Sequence, residues 1–402
     1  MFKKVLSLVL VVAMAATAVF GLVSCKKVND DFKVGFIFLH DENSTYDKNF
    51  LDAAKAAAKA AGLKDEQVLI KTNIPESDKC YQAAAELVEE GCKMIFADSF
   101  GHEDHIIRAA NEFKDVQFYH ATGTKAHTLK LDNFHNAFAS IYEGRYLAGI
   151  AAGAKIQSMI DAGTITADKA KMGYVGAFDY AEVVSGMTSF FLGARSVCPS
   201  VTMEVTYTNA WFDIALEKEA ALKLIDDGCV LVSQHADSEG APKACEERGV
   251  PNVAYNISTI SIAPNTALIS SKINWEPYMT MIIKAAMKGE KVENDICYTI
   301  KDGAIELTEL NTKVAAPGTQ EKIDAAMAKL KDGSLKVFDT ATFTFKGEKL
   351  TSYKADVDSD DKFTPDTEVV KDGYFAESTF RAAPYFDLKY IDGISEMKDS
   401  KN

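Results

Sequence analysis

The sequence predicts an α/β protein built as two doubly wound lobes, each around a parallel sheet. Three observations predict it. Short apolar runs such as Lys33–Leu39 alternate with helical stretches, the pattern of strands covered by helices on both faces. The alternation starts a second time after about residue 125. One turn is also echoed: Glu89-Glu90-Gly91-Cys92 leads into a strand run just as Asp226-Asp227-Gly228-Cys229 does. A chain of 402 residues is long enough for two cores.

The elements follow in order. Lys33–Leu39 is a strand, and Asp47–Ala61 an alanine-rich helix stopped by Gly62. Gln67–Thr72 is a strand. Ser77–Glu90 is a helix with Ser77 as its cap and Gly91 as its stop. Cys92–Ala97, Glu103–Phe113 and Val116–His120 complete the first series as strand, helix and strand. The second series opens on a long helix expected over Asn136–Lys155. Strands are expected at Met172–Phe178, Thr202–Thr208, Cys229–Ser233 and Val253–Asn256. Helices are expected at Glu182–Val197, Ile214–Asp226 and Pro242–Arg248. Ala267–Ser271 adds a strand and Glu276–Lys288 a helix. Ile305–Leu310 and Lys336–Phe345 alternate like β-structure, and 351–373 reads as an acidic loop.

Residues 1–24 read as a secretory signal. Lys3 and Lys4 precede an apolar run that ends in Leu22-Val23-Ser24-Cys25. Cleavage there frees Cys25 for lipid attachment. The expected mature body hangs by its lipid anchor on the extracytoplasmic face of the cell membrane. The formal charge is −14; losing residues 1–24 removes two lysines and no acid, which leaves −16. A body this acidic offers no basic surface for nucleic acid. The six other cysteines show no CxxC spacing, so no zinc or redox motif is expected. Disulfides and buried thiols both stay open.

In parallel α/β sheets a ligand sits beyond the carboxyl ends of the strands. Those ends carry Asp41, Tyr46, Asp47 and Phe50 after the first strand, and Ser99 and Phe100 after the third. Phe178 closes the Met172 strand, and Asp237 follows the Cys229 strand. Asn256 follows the Val253 strand, and Asn274 and Trp275 follow the Ala267 strand. Rings, amides and carboxylates in this number suit a planar polar ligand held by stacking and directional hydrogen bonds. His40, His102, His120 and His235 also follow strands, but without HxH or HExxH spacing, so no metal site is expected. The run from Asp356 to Asp361 starts like a calcium loop. Asp361 replaces its glycine and Thr367 its bidentate glutamate, so an acidic turn is expected. GxSxG, the P-loop and GxGxxG are absent from the sequence, so neither catalysis nor a cofactor is expected.

Four segments carry a family resemblance: Phe118-Tyr-His-Ala-Thr-Gly123, Tyr142-Glu-Gly-Arg-Tyr-Leu-Ala-Gly149, Phe191-Leu-Gly-Ala-Arg195 and Asn209-Ala-Trp-Phe-Asp213. Over residues 32–300 the chain resembles the basic membrane protein family, substrate-binding lipoproteins of ABC importers. The resemblance implies a type I periplasmic-binding-protein fold, with lobe 1 at 32–124 and 257–290 and lobe 2 at 125–256 and 291–340. Residues 341–402 form a C-terminal extension of open role. It also implies a purine base or purine nucleoside as ligand and an ABC permease as partner.

The nucleoside branch of that family has an Asp and a base-stacking Phe that match Asp41 and Phe50. Its next residue, an Asn, is Leu51 here. Its ribose-binding Asp matches Asn256, and Lys272 stands one position early for its late lysine. Gln234–Ser238, Tyr255-Asn256 and Asn274-Trp275 look instead like a branch that binds a free base such as adenine. That resemblance gives Tyr46 or Trp275 the stacking face and Asp237 and Asn256 the edge contacts. A receptor for a sugar or a metal, and a ligand sensor in signalling, are the alternatives.

Overall fold

The computed structural model describes residues 31–360 and 362–398, so the signal segment and Cys25 lie outside the described residues. In the first half, strands β1 (Lys33–Ile37), β2 (Val68–Lys71), β3 (Cys92–Ala97), β4 (Gln117–Ala121) and β5 (Phe134–Ala139) alternate with helices α1 (Thr45–Ala61), α2 (Asp78–Glu89), α3 (Glu103–Glu112) and the short α4 (Ala126–Leu129). Helix α1 starts where the Ser44 side chain accepts from Asp47 N, and ends at Gly62, whose φ of 82° suits a residue without Cβ.

The second half runs α5 (Ile141–Asp161), β6 (Lys171–Gly176), α6 (Ala181–Val197), β7 (Thr202–Tyr207), α7 (Ile214–Asp226), β8 (Leu231–Gln234), α8 (Gly240–Arg248), β9 (Asn252–Tyr255) and β10 (Ala267–Ile273). Then come α9 (Glu276–Lys288), β11 (Asp295–Tyr298), β12 (Ile305–Leu307) and α10 (Thr319–Asp332).

The first sheet has the order β11-β5-β4-β3-β1-β2 and all its pairings are parallel. The second has the order β12-β10-β9-β8-β6-β7 and continues to a late strand, β17 (Ile394–Glu396). Only its β10–β12 pairing is antiparallel. In both lobes the first strand of the series, β1 or β6, lies between the next two, so the strand order reverses there. Such a switch point opens a crevice at the strand ends.

The sheets correct the expected boundaries. Phe134–Ala139 is a strand, not the start of a helix, and it pairs with β4, so the first lobe runs on past residue 124 to 139. All six of its residues are buried between β4 and β11, and this burial overrides their mixed local propensity. Strand β10 pairs with β9 and so belongs to lobe 2, although residues 257–290 were expected in lobe 1. Strand β11 pairs with β5 and so belongs to lobe 1, not to a lobe 2 segment at 291–340. The chain therefore crosses between lobes near residues 140, 274 and 300.

Lys336–Phe345 forms no strand. It holds only isolated bridges, Asp339 to Tyr374 and Phe345 to Glu348. Its phenylalanines bury themselves instead, with Phe338 stacked on Phe386 at 4.3 Å. The extension adds two small pairs, β13 (Lys354–Ala355) with β14 (Thr367–Glu368) and β15 (Val370–Lys371) with β16 (Tyr374–Phe375). It is woven into lobe 2 through β17, through Arg195 Nη1 donating to Asp392 O at 3.0 Å, and through the Lys389–Asp179 ion pair. It also reaches lobe 1, where Ala382 N donates to Asp295 Oδ2 at 2.8 Å.

Helices α5 and α6 cross at backbone contact. A Cβ on Gly149 would lie 2.1 Å from Phe190 O, one on Gly153 2.3 Å from Ala194 O, and one on Gly193 2.0 Å from Tyr146 O. Gly149 and Gly193 lie in two of the resembling segments, and Gly153 follows one turn on. The six cysteines among the described residues are free, and five of them are buried. Among the described residues no helix is long and apolar enough to cross a membrane.

Candidate functional site

The carboxyl ends of the two sheets face one another. From lobe 1, Leu39 follows β1, Tyr46 and Asp47 open α1, Ser99 and Phe100 follow β3, and Thr122 follows β4. From lobe 2, Glu182 lies in the first turn of α6, Trp211 follows β7, His235 and Asp237 follow β8, and Tyr255 ends β9. Together they line one cavity of about 350 Å³, its mouth included. That is near the lower end of small-molecule sites, which run from about 300 to 1,000 Å³. The lobes are nearly closed over it. Thr45 N donates to Asp237 O across the cleft at 2.7 Å, and Asn49 Nδ2 to Ile273 O at 2.9 Å.

Two buried carboxyls on the cavity wall have their pKa values pushed in opposite directions. Asp47 is 1% exposed and accepts from His40 N at 2.7 Å and Ser44 Oγ at 2.6 Å. Burial works to raise its pKa, but the bonds from His40 and Ser44 prevail and hold it below the ordinary value. Asp47 is thus ionised at neutral pH. Asp237 has one weak side-chain partner, Asn256 Nδ2 at 3.4 Å. Burial first, then the charges of Asp47, Glu217 and Glu182, push its pKa well above the ordinary value. This favours the neutral acid, and a neutral carboxyl can donate as well as accept.

Aromatic faces complete the walls. Tyr46 is fixed by donating Oη to Asp98 O at 2.8 Å. Tyr255 is backed by the buried Arg145, whose guanidinium lies 3.5 Å from the ring centroid while Nη1 donates to Gln234 O at 2.9 Å. Phe100 and Tyr180 meet across the mouth with ring centroids 5.4 Å apart. Tyr255 Oη and Thr122 Oγ1 are buried without a hydrogen-bond partner in the protein. Both belong to residues that line the cavity, although buried polar atoms elsewhere, such as Thr188 Oγ1 and Tyr278 Oη, are unpartnered too.

The structure brings Tyr46, Asp47, Ser99, Phe100 and Asp237 to the cavity wall, with Asn256 behind Asp237. It does not bring the others there. Phe50 is fully buried and stacks on Trp275 at 4.6 Å in the lobe 1 core, so neither ring presents a free face. Phe50 shares the buried face of α1 with Ala54, Ala57, Ala58 and Ala61, a helical spacing visible in the sequence. Phe178 packs against Tyr180 at 5.1 Å and Trp211 at 5.0 Å, outside the cavity lining. Asn274 donates to Glu306 at 3.0 Å in an outer groove. Asp41 is held in its own loop by Asn43 Nδ2 at 2.8 Å and Asn73 Nδ2 at 3.2 Å.

Sequence reasoning did not single out Leu39, Thr122, Glu182, Trp211, His235 or Tyr255 as lining residues. Thr122 and Trp211 lay inside resembling segments, and His235 and Tyr255 at strand ends, so the signal was present for those four. The acidic turn stays local: Asp358 Oδ1 accepts from Asp360 N at 2.9 Å, and Asp358 Oδ2 from Thr367 Oγ1 at 3.3 Å.

Phe50→Ala should act on the fold. Removing a buried Phe costs about 3–5 kcal/mol. Denaturant unfolding of the variant should show that loss. A near-normal unfolding curve combined with abolished ligand affinity would return Phe50 to the cavity.

Comparison with known proteins gives the same picture. The family model of PnrA-like ABC transporter substrate-binding proteins (Bmp) matches residues 36–336. A purine-binding protein of Brucella abortus is 32% identical over 343 residues, covering 83% of this chain and 93% of that protein. An ABC transporter protein of Haloferax volcanii whose name assigns it glucose is 31% identical over 255 residues, covering 63% of this chain and 61% of that one. Among solved structures, an ABC transporter solute-binding protein from Aeropyrum pernix superposes with a TM-score of 0.65 at 18% identity, over 76% of this chain and 93% of that one.

Proposed function

The chain belongs to the family of PnrA-like ABC transporter substrate-binding proteins, and we propose that it captures a free purine base between its lobes and delivers it to a permease. Binding a solute for an ABC transporter is the family's work; the base is our reading. One observation carries it. Asp47, whose carboxyl is held below its ordinary pKa, and Asp237, whose carboxyl is pushed well above it, line one cavity from opposite lobes, among the rings of Tyr46, Trp211 and Tyr255. A purine edge offers N–H donors beside ring-nitrogen acceptors. A carboxylate accepts from the first and a neutral carboxyl donates to the second, while the rings stack on the base. The purine-binding relative supports the same ligand class. Asn256 carries no charge for a ribose, which favours the base over its nucleoside.

The rest of the proposal follows from the chain itself. Cys25 anchors the mature protein by lipid on the extracytoplasmic face. Capture involves no chemical turnover, and closure of the lobes over the base is what the permease reads. Thermal unfolding tests the ligand class. A ligand at about 100 times its Kd adds about 2.7 kcal/mol to stability. Adenine should raise the melting temperature clearly, and glucose and amino acids should leave it unchanged. A shift with glucose and none with any purine would overturn the reading.

A further inference from the structure

A second chamber opens beside the base cavity. It shares Phe100, Thr122 and Glu182 with that cavity, and adds Thr124 from lobe 1, Tyr180 and Ala181 from lobe 2, and Arg381, Ala383 and Pro384 from the C-terminal extension. It is larger than its neighbour, about 700 Å³ against about 350 Å³, mouths included. Its one cation is already committed. Arg381 donates from Nε to Ala383 O at 3.3 Å, from Nη1 to Asp356 O at 3.2 Å and from Nη2 to Pro384 O at 3.0 Å. Beside the Glu182 carboxyl, which faces His235 Nε2 at 3.5 Å, the chamber presents rings, methyl groups and the proline.

Thr122 stands at the junction of the two spaces. Its φ of 68° is a left-handed conformation that a β-branched residue rarely adopts. Its hydroxyl is buried and unpartnered. Strain of this kind persists where the surroundings enforce it, and it clusters at ligand sites. An orphan hydroxyl at the mouth of an apolar chamber suits a polar linking atom followed by an apolar group.

We propose that the chamber is a second subsite, and that the protein takes purine bases carrying an alkyl or aryl group on an exocyclic or ring nitrogen. Thr122 Oγ1 meets the linking nitrogen. Phe100, Tyr180, Ala181 and the Ala383–Pro384 wall enclose the substituent. The inference rests on the base reading above.

Calorimetry with adenine, N6-propyladenine, N6-benzyladenine and 9-propyladenine tests it. Each methylene buried should tighten binding roughly fourfold in at least one series. Ala181→Trp, which fills the chamber away from the base, should abolish that gain and leave adenine within about twofold of wild type, the level of surface changes. Thr124→Trp fills the chamber from the other lobe and serves if Ala181→Trp does not fold. Adenine binding with no gain in either alkyl series would overturn this inference alone. A gain that survives both filled variants would also overturn it. Failure of every purine to bind would overturn the base reading, and this inference with it.

Discussion

Gly193→Ala should destabilise the protein, although helix propensity alone favours the change by about 1 kcal/mol. The added Cβ would stand 2.0 Å from Tyr146 O, a backbone atom of the crossing helix that no rotamer change can move. Overpacking costs about 1–3 kcal/mol and occasionally more. With backbone against backbone we expect the upper end. Gly149→Ala meets Phe190 O at 2.1 Å and should behave alike. Helix α5 follows directly on the first crossing, so strain at its contact with α6 also reaches the cleft. Melting curves of the two variants check the point. A raised melting temperature in either would mean that the helices do not touch there.

The second large effect concerns the carboxyl pair. Asp47→Asn removes an ionised acceptor and should weaken base binding by about 1.5–3 kcal/mol, the worth of a hydrogen bond to a charged group. Asp237→Asn should be far milder at pH 7. An amide donates and accepts as the protonated acid does. The stability effect has a definite sign. Asp237 has its folded pKa raised, so between the ordinary carboxyl pKa and that raised value the folded state holds a proton that the unfolded state lacks. Stability contributed by this group is present at acid pH and falls as pH rises through that window. Asn has no such dependence. Asp237→Asn should therefore gain stability over wild type as pH rises from about 4 to 7, near and above the reference carboxyl range. Equal loss of binding in both variants, or a stability difference that shrinks with pH, would reverse the protonation assignment.

How far the sequence could be read depended on burial. Strands β1, β3 and β4 are continuous apolar runs between glycine or polar stops, and their period leaves little choice. Phe134–Ala139 mixes His135 and Asn136 with alanines, and only pairing with β4 and β11 makes it a strand. The same pairings decide which lobe owns β10 and β11, because a crossing leaves no local mark in the sequence. Lys336–Phe345 alternates like a strand, yet its Phe338 and Phe343 both pack on Phe386 with no sheet to join. In the site, residues that open α1 or follow β3 and β8 could be found from strand ends alone. Both strand-end position and resemblance draw Phe50 and Trp275 toward the ligand, although the helical spacing of Phe50 already places it in the core. Tyr255 and His235 needed the facing lobe to reveal what they line.

The central claim is that a free purine base fills the space between Asp47 and Asp237. Calorimetric titration of the purified mature protein with adenine and with adenosine tests it most directly. The account predicts saturable binding of adenine, at least as tight as adenosine, because Asn256 offers a ribose no charge. Adenosine binding tighter by about tenfold, or 1.4 kcal/mol, would contradict it.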